Sequence, residues 1–311
     1  MSNYTENQYV NDKNNSWNII LGLISTNQKV IDIGCSSGNF GAELHKQKNC
    51  VVDGIEIDDA DVKLAQSKIR KVYKLNVETD DLSVIKDKYD VVLMMDVIEH
   101  LARPAETLEK ISRLLKPDGK LIFSVPNMAH ISVRLELLAG KFNYRKTGLL
   151  DDTHLHFYTE KYLLNVLERA RYGLIKTEVT TVSYPKQLVA KKLNEIGLNA
   201  NDNFQKTISN SHGNIYQFIG VAKLGSVKDQ PTFPSSNIHE EHYREIEQTM
   251  ESQSEQISGL HQQLQTKNQY IKSLEEQNQR IVNSAGYKIA KKTVKSYRKV
   301  KGKFRTKTNQ L

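Results

Sequence analysis

The residues best placed to do chemistry stand around a short apolar run near the start of the chain. Positions 30–33, rich in valine and isoleucine, predict a buried parallel strand that ends at Gly34. Small residues form a loop as far as Gly38, and a helix is expected from about Asn39. Such an arrangement presents backbone N–H groups and a positive helix end to a ligand. Asp32 lies inside the strand, where an unpaired carboxylate is costly to bury, so we expect it to meet a cationic ligand or another partner.

The spacing of this loop differs from that of a dinucleotide-binding fold. It is Asp-x-Gly-x-x-x-Gly rather than Gly-x-Gly-x-x-Gly, and a glycine-rich turn alone also occurs in ordinary strand-to-helix connections. The next apolar run, 51–58, supplies a second signal, because Glu56 falls near its end, about twenty residues after the loop. A carboxylate there can accept two hydrogen bonds from a ribose diol. The alternative is a solvated loop acid.

Further strands alternate with helices along the first half of the chain. Strands are predicted at 72–75, 89–95 and 120–125, and helices at 58–70 and 104–115, with a turn at 116–119. Alternation of this kind predicts right-handed βαβ units and a parallel sheet. Ligands collect at the carboxyl ends of such strands. Asn76 and Asp96, which follow two of the strands, are therefore candidates for the same site.

Together these residues resemble the class I S-adenosylmethionine-dependent methyltransferases. The resemblance rests on 30–40, Glu56, 96–101 and 114–119, and it covers residues 1 to about 224. Within that superfamily the chain is most similar to the branch that includes quinone O-methyltransferases and methyltransferases of surface-glycan synthesis. The segments 126–127 and 148–159 fit the second group best.

The resemblance implies an α/β fold with a Rossmann-like seven-stranded sheet in the order 3-2-1-4-5-7-6, in which strand 7 runs antiparallel. The last two strands are expected at 174–182 and 215–223. Between them, residues 184–214 are too long for an ordinary hairpin loop and contain a helical stretch near 187–196. Insertions of this kind often cover an active site.

S-adenosylmethionine is the cofactor that the resemblance implies. Three positions depart from the family pattern. Ser36 stands where many members have a second glycine, and His156 stands where an arginine is frequent. Asn76 stands where an aspartate often holds the adenine amine, a bond that the asparagine carbonyl can also accept. The predicted cofactor-binding residues are Asp32, Gly34, Cys35, Ser36, Gly38, Glu56, Ile57, Asn76, Val77 and Asp96.

Methyl transfer from an activated sulfonium requires an enzyme to align the acceptor, exclude water and remove the acceptor's proton. Three histidines, His100, His154 and His156, follow the fourth and fifth strands. We favour His154 as the general base, with Asp151 or Asp152 orienting its ring. The alternative is a structural histidine that binds a backbone carbonyl. The predicted catalytic residues are His154 and Asp151.

Asp96, Glu99 and His100 form a second constellation, because their i, i+3, i+4 spacing places them on one side of a helical turn. Two carboxylates and an imidazole can hold a divalent cation, and similar quinone O-methyltransferases are thought to bind magnesium at this segment. The alternative is that Glu99 and His100 brace the turn that leads to Pro104. We favour this alternative and predict no metal ligands.

Length and composition indicate an intracellular protein. The 311 residues suffice for one sizeable domain with appendages, and 38% of them are hydrophobic. Cys35 and Cys50 are the only cysteines, so no disulfide framework is indicated and a reducing cytosol fits. The N-terminus lacks a signal-peptide pattern, and no apolar run has the length of a membrane span. We expect a cytoplasmic protein.

After a catalytic domain at 1–225 and a linker at 226–238, residues 239–283 follow the 4-3 alternation of a coiled coil. Isoleucine and leucine in the seam, with Asn278 at an a position, favour a parallel homodimer in fixed register. Polar residues in the seam leave open a single amphipathic helix that docks on another protein. The seam comprises Ile246, Met250, Gln253, Ile257, Leu260, Leu264, Lys267, Ile271, Leu274, Asn278 and Ile281.

The last segment, 284–311, has ten lysines and arginines and no acidic residue. Because the whole chain carries +8, the rest of it carries −2, and the catalytic domain is not a polyanion-binding surface. Tyr287, Ala290, Val294 and Tyr297 form an apolar stripe, which suits an anionic membrane surface; a solvated tail is the alternative. Nucleic acid is not the predicted partner, since the fourth strand lacks the Pro-Pro-aromatic signature of many base-modifying methyltransferases.

These features favour an O-methyltransferase that acts on a sugar hydroxyl of a surface polysaccharide or glycolipid. The coiled coil and tail would hold it beside membrane-bound glycosyltransferases, at the inner face of the membrane, and raise its effective concentration there. Two alternatives stay open. One is an O-methyltransferase of a quinone-like or other small molecule, and the other is a mainly scaffolding subunit of a glycan-synthesis complex.

Overall fold

The computed structural model describes residues 12–182, 184–199, 201, 204, 207, 212–225, 228–234 and 240–307, without the side chains of 240–251, 253–255 and 299–307. Positions 226–227 and 235–238 of the predicted linker, position 239 of the predicted coiled coil and 308–311 of the tail lie outside the described residues. The chain divides into two units, Met1–Glu240 and Glu241–Leu311.

The first unit is built on a seven-stranded sheet in the order β3-β2-β1-β4-β5-β7-β6. The first five strands along the chain pair in parallel, and β7 runs antiparallel to both of its neighbours. The order and the antiparallel strand confirm the predicted fold class. The strands are β1 (Lys29–Ile33), β2 (Val51–Glu56), β3 (Lys71–Lys74), β4 (Tyr89–Met95), β5 (Leu115–Pro126), β6 (Tyr172–Thr181) and β7 (Ile215–Leu224).

Alternating side chains along the strands divide the core into two layers, one on each face of the sheet. Phe123 and its neighbours pack against α4 and α6 on one face, whereas Val91 and Ile122 pack against α1 and α2 on the other. The helices are α1 (Ser16–Leu23), α2 (Asn39–Lys48), α3 (Asp59–Ala65), α4 (Pro104–Ile111), α5 (Ile131–Leu138), α6 (Glu160–Arg169), α7 (Lys186–Asn194), α8 (Glu240–Asn283) and α9 (Ala285–Lys307).

β5 begins earlier than predicted. Tyr89 pairs with Leu115 and Val91 pairs with Lys120, so four residues of β5 bulge out opposite one residue of β4. The turn predicted at 116–119 is this bulge, and the strand exists on both sides of it.

Two helices are shorter than predicted. α3 ends at Ala65 because the N–H groups of Ser67 and Lys68 bond to carbonyls three residues back, at 3.2 and 2.9 Å, which tightens the chain into a turn. α4 ends at Ile111 and continues as a 3₁₀ turn over Ser112–Leu114. In both places the predicted helix also covers the tighter turn that follows the α-helix in the structure.

The insertion between β6 and β7 packs on the helix that follows β5. Val189 and Leu193 of α7 are buried against Ile131 and Leu135 of α5. Since α5 lies just beyond the carboxyl end of β5, the insertion covers structure next to that end of the sheet.

Part of the predicted linker belongs to the first unit. Phe233 is only 2% exposed and its ring lies 4.8 Å from that of Phe218. The side-chain oxygen of Gln230 accepts a hydrogen bond of 3.0 Å from the Leu174 N–H. Gln230 and Phe233 are therefore packed on the first unit, and Phe233 lies eight residues beyond the predicted domain end.

The second unit contains two helices that meet at Ser284, whose hydroxyl accepts a 3.2 Å hydrogen bond from the Tyr287 N–H. The predicted seam positions Ile246, Met250 and Gln253 lie among residues whose side chains are not described. No described helix combines the length and the apolar character that crossing a bilayer requires.

Replacement of Gly220 by alanine tests the packing between β7 and β5. A Cβ atom there would lie 2.3 Å from Cζ of Phe123, a fully buried ring. We expect Gly220→Ala to lower the free energy of unfolding by about 1–3 kcal/mol in urea denaturation. Gly22→Ala on α1 is the control, because nothing lies within 4 Å of its Cβ position. Equal stability of the two variants would contradict this packing.

Candidate active site

The predicted cofactor residues converge at the carboxyl ends of the central strands. The Gly34 N–H donates to the Ile55 carbonyl at 2.9 Å, and the Ser36 N–H donates to Glu56 Oε2 at 2.8 Å. These bonds tie the loop after β1 to the end of β2. Asp96 directly follows β4, the other neighbour of β1 in the sheet.

The loop after β1 requires glycine at two positions. Gly34 and Gly38 have φ angles of 73° and 76°, in the left-handed region. A Cβ at Gly34 would lie 2.8 Å from Val97 Cγ2, and one at Gly38 would lie 3.0 Å from Ala65 Cα. Ser36 has a φ of 46°, so the serine at this position costs some backbone strain. No side chain caps α2 at Gly38, which leaves its first turn available to a polar ligand.

Asp32 is a buried acid in this loop's strand. It is 4% exposed, so its carboxyl group is largely removed from water. Burial, with the nearby charge of Glu56, raises the pKa of Asp32 to about 8. Burial, with the nearby charges of Asp32 and Glu56, also raises the pKa of the Cys35 thiol and keeps it neutral. A cationic group such as the ammonium of S-adenosylmethionine fits beside Asp32, because it would offset the desolvation of the carboxylate.

Glu56 is held in place by backbone donors. Its carboxylate accepts hydrogen bonds from the N–H groups of Ser36 (2.8 Å), Ile57 (2.7 Å) and Asp58 (3.0 Å). Two carboxylate oxygens offer about four acceptor positions, so a ribose diol would use the remaining one and compete for another. The Ile57 side chain beside it is 62% exposed, an apolar surface that a nucleoside could cover.

Asn76 and Val77 follow β3, and they stabilise the turn after this strand. Asn76 Oδ1 accepts from the Glu78 N–H at 2.9 Å and from the Thr79 N–H at 3.4 Å. The Val77 side chain is 8% exposed and belongs to the core. The oxygen expected to accept an adenine amine is therefore engaged by the turn, and the role of Asn76 stays a prediction.

Asp96 has a strained backbone and two side-chain donors. Its φ is 52°. Ser124 Oγ donates to Oδ1 at 2.8 Å, and Gln217 Nε2 donates to both oxygens at 2.9 Å. Burial still raises the pKa of Asp96. Gln217 was missed in the sequence; the signal for it is the antiparallel pairing of β7 with β5, which sets Gln217 opposite Pro126.

Glu99 carries a buried carboxyl group that accepts no hydrogen bond from the described atoms. It lies in a 3₁₀ turn, Ile98–His100, and is 1% exposed. Neither of its side-chain oxygens has a hydrogen-bond partner among the described atoms. Burial and the charge of Asp96 raise the pKa of Glu99 well above its ordinary value. A buried acid of this kind marks a functional position more often than a structural one.

His154 faces Glu99. Its Nε2 lies 4.0 Å from Glu99 Oε1, and its Nδ1 is buried without a hydrogen-bond partner among the described atoms. Burial and the neighbouring His100 lower the pKa of His154, so the ring is neutral at pH 7. His154, the predicted base, therefore lies beside Glu99, for which the sequence favoured a role in bracing the turn that leads to Pro104.

The acids predicted to orient His154 make other bonds. Asp151 accepts from the N–H and hydroxyl of Thr153 at 2.8 and 2.6 Å, and Asp152 pairs with Lys146 at 2.5 Å. Asp151 influences the ring of His154 only through its charge, which acts to raise the pKa. The structure shows Glu99 where the sequence analysis expected Asp151.

Glu99, His100 and His154 each offer a ligand atom, and these atoms lie within 4.8 Å of one another. Asp96, the third member of the constellation seen in the sequence, is not in this group. One carboxylate and two imidazoles suit a divalent transition metal, whereas magnesium prefers oxygen ligands. The His156 ring lies outside the group and contacts the Ala102 carbonyl at 3.4 Å.

The ring of Phe157 lies beside His154, and two further aromatic rings pack on Phe157. Phe157 is 6.2 Å from the His154 ring between centroids, and Phe142 and Tyr144 lie 5.6 and 6.2 Å from Phe157. Phe142 is 38% exposed and Tyr144 is 56% exposed. We call these three residues the aromatic wall. It was not recognised in the sequence, where only the short spacing of aromatic residues before and after 148–154 signals it.

The chain is similar to known methyltransferases in sequence. A family model described as a methyltransferase domain matches residues 16–177, just over half of the chain. A ubiquinone biosynthesis O-methyltransferase of Histophilus somni is 28% identical over 45% of this chain and 59% of its own length. The corresponding enzyme of Aeromonas salmonicida is 24% identical over 50% of this chain and 67% of its own length.

The chain spans between 44% and 67% of the lengths of three such curated relatives. Among solved structures, a SAM-dependent methyltransferase from Archaeoglobus fulgidus is 20% identical, with a TM-score of 0.46, covering 67% of this chain and 94% of that chain.

Proton release on cofactor binding tests the role of Asp32. With a pKa of about 8, its carboxyl is protonated at pH 6.5, and a bound ammonium group would favour the ionised form. We expect about one proton to be released per S-adenosylmethionine bound, measured by calorimetry in buffers of different ionisation enthalpy. Asp32→Asn should release none and bind more weakly, whereas the exposed Asp118→Asn should behave as the unaltered protein. Equal proton release from Asp32→Asn would refute the assignment.

Proposed function

The chain belongs to the class I S-adenosylmethionine-dependent methyltransferases, the family of its methyltransferase domain, and we propose that it methylates a hydroxyl group. S-adenosylmethionine is the cofactor that the family and the fold imply, and it supplies a methyl group already activated on sulfonium. In this proposal, residues at the carboxyl edge of the sheet would hold the cofactor, Asp32 through its ammonium group and Glu56 through its ribose.

The observation that carries the proposal is the buried pair of Glu99 and His154. A neutral imidazole with an unpartnered nitrogen can take the proton of a hydroxyl as the new C–O bond forms. The imidazolium that results keeps the proton of the hydroxyl, and it lies 4.0 Å from Glu99 Oε1. The partial negative charge of that carboxyl oxygen would stabilise the imidazolium while Glu99 keeps its own proton.

The acceptor that we propose is a sugar hydroxyl in a surface polysaccharide or glycolipid. The aromatic wall beside His154 supports this choice, because exposed rings pack against the apolar face of a sugar ring while its hydroxyls reach polar groups. An alkyl hydroxyl also needs a base more than a phenol does, since its proton is far less acidic. The buried histidine and its acid meet that need.

A quinone-like phenol is the second candidate. The curated relatives named above act in ubiquinone biosynthesis by their names, and a flat ring would also stack on the aromatic wall. A phenol has a pKa near 10 and therefore depends less on a general base. A purely scaffolding role is disfavoured by the cofactor loop and by the Glu99–His154 pair, because neither arrangement is needed for assembly.

Replacement of His154 distinguishes the two acceptors. With labelled S-adenosylmethionine, we expect His154→Ala to lower kcat on a lipid-linked sugar by about 10²-fold or more and to lower it less on a catechol. His156→Ala is the matched control, since that ring contacts a backbone carbonyl and the hydroxyl of Tyr162 instead. Thermal unfolding of both variants reports any loss of folding.

Normal turnover of His154→Ala with both acceptors would remove His154 as the base. Transfer to the catechol alone, by the unaltered protein, would replace the sugar acceptor by the phenol.

The partner we propose for α8 is a second copy of the chain. The described seam residues from Ile257 to Ile281 are exposed, the apolar ones by 40–64%, as expected for a face that awaits a partner. Isoleucine at a, leucine at d and Asn278 at an a position support a parallel pair in register. The flanking positions hold mainly neutral polar residues, so two identical helices do not repel one another.

Cross-linking tests this pairing and its direction. Cys35 and Cys50 are both buried, so intermolecular disulfide formation reports on the added cysteine. We expect full-length Ile281→Cys to form an intermolecular disulfide on mild oxidation, because identical d positions meet in a parallel pair. Gln279→Cys, on the outer side of the same turn, should form little. A monomer in sedimentation, or equal cross-linking at the two positions, would contradict the parallel pair.

A further inference from the structure

Between Ala285 and Arg298, the C-terminal helix α9 separates charge from apolar surface more completely than its apolar stripe alone indicates. With about 100° between successive residues, the basic residues of this stretch fall within a sector of about 120°. These residues are Lys288, Lys291, Lys292, Lys295 and Arg298. No acidic residue interrupts the sector, and none occurs anywhere from Ser284 to the end of the chain.

The opposite side of this stretch carries apolar side chains that are exposed. Ile289 joins Tyr287, Val294 and Tyr297 there, although it lies outside the spacing of the stripe. Tyr287 is 41% exposed, Ile289 64%, Val294 52% and Tyr297 66%. These exposures leave both faces of the helix available to a partner. We call the sector of basic residues the cationic face and the opposite sector the apolar face.

We propose that the stretch 285–298 of α9 lies in the plane of an anionic lipid surface, with its apolar face among the acyl chains and its cationic face on the headgroups. A helix with a strongly charged side, an opposite apolar side and low overall hydrophobicity binds membranes in this way. Tyrosine is suited to the boundary between apolar and polar layers, where Tyr287, next to the cationic face, would lie. The absence of acidic residues matches a negatively charged surface.

The arrangement of tyrosines favours a lipid surface over RNA. Single-stranded nucleic acid is bound by aromatic rings set among basic residues, so that bases stack while phosphates are neutralised. In α9 the tyrosines at 287 and 297 belong to the apolar face, and Ile289 and Val294 beside them offer no stacking surface. The basic residues therefore neutralise charge on one side while the apolar side chains need a nonpolar environment on the other.

Vesicle sedimentation of the full-length protein tests the proposal. We expect at least tenfold stronger partition onto phosphatidylcholine vesicles containing phosphatidylglycerol than onto phosphatidylcholine alone, weakening as salt is raised. Ile289→Asp combined with Val294→Asp should abolish partition, because it places charge within the apolar face. Ala285→Asp combined with Ser296→Asp is the matched control. It changes the net charge of the helix equally, outside the apolar face, and should retain most of the partition.

Three results would overturn the proposal. One is equal partition of the two double variants, which would show that charge alone acts. The second is no preference for the anionic vesicles. The third is tighter binding to single-stranded RNA than to vesicles, unaffected by the changes at Ile289 and Val294. Circular dichroism confirms that the helix forms in each variant, and methyl transfer to a soluble acceptor should stay unchanged, since none of the four altered residues is among those assigned to the candidate site.

Discussion

The buried carboxyl of Glu99 is the constraint on which the candidate site depends. It has no hydrogen-bond partner among the described atoms, so an imidazole 4.0 Å away is the group that can compensate its charge. The backbone of the same residue fixes that imidazole, because the Glu99 carbonyl accepts from the N–H groups of Leu155 and His156 at 2.9 and 3.1 Å. Glu99 therefore links the end of β4 to the loop that carries His154 and Phe157.

Three acids of the candidate site have raised pKa values. Burial raises the pKa of Asp32 to about 8, and it also raises those of Asp96 and Glu99. The cofactor's ammonium group would favour the ionised form of Asp32. Glu99 keeps its proton, and its carboxyl lies 4.0 Å from the ring nitrogen of His154. Neither Asp32 nor Glu99 therefore has to be stored as an unpaired buried charge.

The sequence predicted the sheet and the cofactor loop because both depend on local patterns. Each of these patterns can be recognised within a single segment: β-branched runs, the glycines at 34 and 38, and acids at strand ends. Contacts between distant segments could not be predicted in this way. Gln217 reaches Asp96 across 121 positions, and Glu99 meets His154 only because the loop after β5 folds back on the turn after β4. The choice of Asp151 as the partner of His154 relied on proximity in sequence, which the Thr153 hydrogen bonds override.

The most direct test of the central claim is the pH dependence of single-turnover methyl transfer, from about pH 5 to 9, in the unaltered protein and in Glu99→Gln. Because burial lowers the pKa of His154 below 6.5, its neutral form persists to acid pH. We expect the rate to be constant at neutral pH and to decrease at pH values below an apparent pKa, which lies under 6.5. In Glu99→Gln the plateau itself should fall, since the imidazolium loses its partner. A rate independent of pH across this range, unchanged in Glu99→Gln, would contradict the account.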